Sequence, residues 1–125
     1  MPALDLDNDA DIITMRLSSS DTLFVACLCA EWCASCREYR VGFDALADTH
    51  PGICFVWVDI ETHADRLYDF DVENFPTIII ENSYATCFFG AVLPYPQIIT
   101  KMLGNLSSLP RIKHAPKLRP VLVDS

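Results

Sequence analysis

The sequence predicts an α/β fold, a central mixed β-sheet with helices on both faces. Three observations predict it. Two apolar runs, 23–30 and 53–60, the second interrupted only by Asp59, flank a stretch of helical periodicity, the pattern of a βαβ crossover with a parallel strand pair. Two short apolar runs, 77–80 and 85–89, are separated by Asn82-Ser83, the pattern of an antiparallel hairpin. Hydrophobic residues make up 51% of the 125 positions, enough for the core of one ordinary domain.

Each element has its own signal. Residues 1–8 read as loose and acidic. Residues 9–18 are ambiguous: Asp9 and Asp11 suit a first helical turn and Ile13 and Leu17 share a helical face, but Ile13, Met15 and Leu17 would equally line a strand. A short helix is the favoured reading, and 18–21 form a turn. The run 23–30 is a buried strand. From Cys33 to about Thr49, apolar groups at Cys36, Tyr39, Phe43 and Leu46 give an amphipathic helix, ended by His50-Pro51-Gly52. The run 53–60 is a second buried strand. Thr62 is placed to cap a short helix carrying Leu67, Phe70 and Val72. The hairpin follows, and Gly90 breaks it. Pro96 suits a first helical position, with Ile98, Ile99, Met102 and Leu103 on one helical face. The expected organisation is an N-terminal segment of the domain at 1–21, the domain body at 22–106, and a basic, proline-containing tail at 107–125. The tail reads as irregular, solvated or loosely docked. Ile112, Leu118, Val121, Leu122 and Val123 leave room for an apolar docking segment.

Charge limits the partners. The net charge is −8, with 16 acidic and 5 basic residues before position 105 and 1 acidic and 4 basic after it. That balance argues against nucleic acid or an anionic membrane as partner. The amino terminus shows no basic n-region and no apolar h-region, so no secretory signal is expected. The longest apolar run is far short of the ~20 residues that span a bilayer. The expected compartment is the reducing cytoplasm. Six cysteines there point to catalysis or metal binding rather than to a structural disulfide framework.

Four residues carry the chemistry. Cys33-Ala34-Ser35-Cys36 follows Trp32 after a strand and opens a helix. Two cysteines at this spacing form a disulfide or hold a dithiol. The first sits where unpaired helix N–H groups and the helix dipole favour a thiolate. About forty residues on, Pro76 stands just before a strand, in Asn74-Phe75-Pro76-Thr77. A strand's first residue tolerates proline, and proline is the residue for which a cis peptide is cheap.

In these motifs the chain resembles thioredoxin. The resemblance rests on Ala30-Glu31-Trp32-Cys33-Ala34-Ser35-Cys36, Val58-Asp59, Phe75-Pro76-Thr77 and Gly90, and covers roughly residues 22–104. It implies a thioredoxin-like three-layer fold and a thiol–disulfide oxidoreductase needing no cofactor. Protein disulfides would be its substrates, a reductase its electron donor, and a monomer its state. Cys33 would be the nucleophile and Cys36 the resolving thiol, the two forming the redox-active disulfide. Trp32 would be an apolar platform, and Pro76 would be cis opposite the cysteines. The backbone at Phe75 would pair with an extended substrate.

The departures from the family are informative. Ala34-Ser35 replaces the usual Gly-Pro, so the redox potential is not inherited. The family's buried aspartate aligns with Cys27 and its lysine partner with Phe55, so the usual acceptor of the resolving thiol's proton is missing. Water or another carboxylate is an alternative, and Glu31 and Asp59 are near in sequence. Cys29 stands where the family often has tryptophan and shares a strand face with Cys27. It reads as core, as a thiol that oxidises or relays, or as part of a metal site with Cys33 and Cys36. Strand geometry argues against all four cysteines converging on one tetrahedral centre, and no metal is expected. Cys54 and Cys87 read as core, and His50, His63 and His114 as surface residues. A binding or adaptor module with a regulatory or weakly active cysteine pair is the alternative function.

Overall fold

The computed structural model describes residues 3–19, 22–30, 33–67, 70, 72, 74–82, 85–106 and 117–123. Trp32, Glu31 and residues 107–116 of the tail lie outside them. The elements are β1 (Leu4–Asp5), α1 (Ala10–Leu17), β2 (Phe24–Cys29), α2 (Ala34–Thr49), β3 (Cys54–Asp59), β4 (Thr77–Glu81), β5 (Thr86–Ala91), α3 (Gln97–Gly104) and α4 (Leu118–Val123). The sheet is mixed, in the order β1-β3-β2-β4-β5. β2 and β1 pair with β3 in parallel, and β4 is antiparallel to both β2 and β5.

Side-chain alternation on the central strands splits the core in two. Phe24, Ala26 and Leu28 face one layer with Ile13, Leu17 and Val56. Val25, Cys27 and Cys29 face the other, with Cys36, Tyr39 and Phe43 of α2 and Ile99 of α3. β2 is buried along its whole length, which explains its unbroken apolar run. Phe43 anchors α2 to β3, with edge-on contacts to Phe55 at 5.4 Å and Trp57 at 5.9 Å. The absence of a side chain at Gly42 lets α2 approach α3, because a Cβ there would collide with the Pro96 ring.

Three expectations are corrected. Residues 1–8 are not wholly loose: β1 adds an edge strand to β3, and Arg40 ties it to α2 through Asp5 at 3.0 Å. Residues 60–66 form successive turns rather than a Thr62-capped helix, with Asp59 Oδ1 accepting from the Glu61 and Thr62 N–H groups. The tail's end is an ordered, docked helix. Leu118 and Leu122 of α4 are buried in the α1 layer.

Candidate active site

Cys33 is the N-cap of α2, with extended backbone (φ −83°, ψ 115°), and is half-buried against the α2 layer. The first turn of α2 holds no acidic residue, so no carboxylate offsets the positive helix end that faces the thiol. The Ser35 hydroxyl lies 3.1 Å from Cys33 Sγ. That hydrogen bond, with backbone N–H groups of Cys36 and Ser35 and the charge of Arg37, holds the Cys33 thiol below its ordinary value and favours a thiolate.

Cys36, in the same turn, is fully buried. Its sulfur is bonded to Cys29 at the end of β2, with a Cα–Cα separation of 5.9 Å, an ordinary disulfide span. The bond in this structure is therefore Cys29–Cys36 and not the expected Cys33–Cys36. Cys33 lies outside any disulfide, as do Cys27, Cys54 and Cys87. The physical reason is orientation: α2 lies across the sheet face that carries Val25, Cys27 and Cys29, which aims Cys36 inward at the strand. Strand alternation put Cys27 and Cys29 on one face in the sequence, but only the packing of α2 brings Cys36 to that face.

Cys27 Sγ is 3.7 Å from Cys29 Sγ. With Cys29 in a disulfide, Cys27 holds the only hydrogen and is the donor. Burial pushes the Cys27 thiol well up, keeping it protonated. The Tyr39 hydroxyl, buried in the same layer, has no hydrogen-bond partner among the described residues, and burial raises it too. Phe55 is buried on this face. The positions of the family's aspartate and lysine thus hold an apolar thiol and a ring. Asp59 is the register partner of Cys29 and falls on the same face by alternation. It lines a cleft of about 430 Å³ with Ala30, Arg37, Arg40 and Trp57.

The Phe75–Pro76 peptide is cis. Phe75 packs against the same layer as Cys33, and Pro76 is buried at the start of β4 with its carbonyl accepting from Val92. Among the described residues no group of three His, Cys, Asp or Glu side chains is arranged to hold a metal ion. No helix among them is long and apolar enough to cross a membrane.

A parallel-to-antiparallel sheet sandwiched by helices, a Cys-x-x-Cys at a helix N-terminus and a cis-proline define a thioredoxin fold. The thioredoxin family model matches residues 8–92, and the chain belongs to that family. It is 38% identical over 50 residues to thioredoxin-1 of Caenorhabditis elegans, covering 40% of this chain and 44% of that protein. It is 30% identical over 66 residues to thioredoxin C-3 of Corynebacterium nephridii, covering 53% and 46%. The chain spans about half the length of these curated relatives. The fold matches the crystal structure of Schistosoma mansoni thioredoxin with a TM-score of 0.69 at 18% identity, over 83% of this chain and 94% of that one.

Proposed function

We propose that this chain is a thiol–disulfide oxidoreductase that reduces protein disulfides through Cys33 and Cys36. The observation that carries the reading is Cys33 itself: a half-exposed thiol at the start of α2, hydrogen-bonded to Ser35, with a second cysteine in the same helical turn. The cycle starts from the form in which Cys36 is a thiol. The Cys33 thiolate attacks one sulfur of a substrate disulfide, forms a mixed disulfide and releases the first substrate thiolate. Cys36 then attacks Cys33, the mixed bond breaks, and the second substrate thiolate leaves. A reductase returns the two electrons. Phe75 and cis-Pro76 provide the backbone edge for an extended substrate segment, and Trp32, next to Cys33 in the sequence, is the proposed apolar contact.

With Cys27 protonated and Phe55 apolar, the layer under Cys36 offers no aspartate to take its proton. Asp59 is the carboxylate nearest in sheet register. Four cysteines outside any disulfide suit a reducing compartment, and the cytoplasm is the proposed location. The acidic charge argues against nucleic acid and membrane surfaces as partners, and a monomer is the proposed state. The apolar replacement of the buried pair favours a second reading, an adaptor whose cysteines are regulatory.

The reduction potential of the Cys33–Cys36 couple, measured by equilibration with glutathione buffers, tests the direction of electron flow. A reductase predicts a value near thioredoxin's, about −270 mV. A value near −120 mV is that of an oxidant and would contradict it.

A further inference from the structure

We propose that Cys29 is a third redox-active thiol, which exchanges with Cys33 for the sulfur of Cys36. The inference rests on the reading of Cys33 and Cys36 as the exchanging pair, and extends it inward. Two observations carry it. Cys36 is bonded to Cys29 in this structure, while Cys33 is free. The span between the two backbones is an ordinary disulfide span, so the bond needs no displacement of β2 or α2. Cys36 therefore has two partners: Cys33 in its own helical turn and Cys29 beneath it.

The exchange is balanced without an external oxidant. Substrate reduction leaves the Cys33–Cys36 disulfide. Cys29, as thiolate, attacks Cys36 Sγ. The Cys29–Cys36 bond forms, the Cys33–Cys36 bond breaks, and Cys33 leaves as a thiolate. The proton lost by Cys29 is taken up by solvent or by the departing thiolate, and no net oxidation occurs. Cys33 is a good leaving group because its thiolate is held by Ser35 and the helix N–H groups. Cys27, 3.7 Å from Cys29, donates its S–H toward the bonded sulfur.

The chemical consequence is specific. With Cys36 tied to Cys29, Cys33 is a surface nucleophile with no resolving partner. A small disulfide such as oxidised glutathione then adds one glutathionyl group to Cys33, releases one glutathione thiolate, and the adduct persists. Oxidised protein can thus hold an internal disulfide and a mixed disulfide together.

The sequence supplies a clean test. Glu31 lies between Cys29 and Cys33. The full chain is oxidised with glutathione disulfide, quenched in acid, alkylated and cut after Glu31. A Cys29–Cys36 bond leaves the two fragments covalently linked, whereas a Cys33–Cys36 bond lets them separate. The proposal expects a linked fraction in the wild type, with glutathione on Cys33. It expects C33S, a change at a half-exposed position, to link most of its fragments through Cys29 and Cys36. C29S should give unlinked fragments without retained glutathione. Complete separation in the wild type, with C33S remaining a dithiol at Cys29 and Cys36, would overturn the proposal. Insulin reduction is read on an untreated portion of the same wild-type preparation. Linked fragments in an inactive protein would overturn the oxidoreductase reading alone, and active but unlinked protein the role of Cys29 alone.

Discussion

Ser35 does two things for Cys33 that the family's usual proline cannot. Its hydroxyl lies 3.1 Å from the sulfur, and its backbone N–H also stabilises the thiolate. Proline has neither group. Only the thiolate is nucleophilic, so the rate of Cys33 alkylation rises with pH and levels off once the thiol has ionised. The lowered Cys33 value puts that inflection below that of an ordinary cysteine. Ser35→Ala should move it upward and slow alkylation at neutral pH several-fold, and Ser35→Pro should move it further. An unchanged profile of iodoacetamide rate against pH in both variants would show that Ser35 does not act on the thiol. Much of this site was legible residue by residue. The spacing of Cys33 and Cys36, and Pro76 before a strand, are local patterns. The partner of Cys36 was not legible, because the sheet face that α2 covers is decided by packing between elements distant in sequence.

Among the elements, α4 departs most from its sequence reading. Six residues with a proline among them carry no detectable helical period, and an isolated helix of that length is not stable in water. Its stability comes from what it docks on. Glu81, only 1% exposed, accepts hydrogen bonds from the Leu118 N–H at 2.7 Å and the Arg119 N–H at 3.1 Å, pairing two N–H groups at the helix start. The Arg119 guanidinium donates to the carbonyls of Leu17, Ser19 and Thr22, where a cation complements the C-terminal end of α1. Pro120 falls in the first turn, where a missing N–H costs nothing. Leu122→Ala should therefore lower unfolding stability by about 2–5 kcal/mol in urea melts, as for other buried leucines. A loss no larger than that of an exposed substitution would mean that α4 is not docked. The buried strands were readable because continuous apolar runs survive in any context. β1 is only two residues long and offers no such run.

At the scale of the whole molecule, the described residues form one sheet with two cores, and they serve different ends. The α1 layer is closed by the C-terminal helix and holds the sheet from behind. The α2 layer contains Cys27, Cys29 and Cys36, all fully buried, with Cys33 at its edge. The proposed function depends, at this scale, on Cys33 passing electrons between that layer and a partner disulfide. Dithiothreitol-driven reduction of insulin disulfides, followed as turbidity, reads that transfer most directly. Turnover by the wild type and a fall to the uncatalysed rate in C33S are expected. Undiminished turnover in C33S would contradict that role of Cys33.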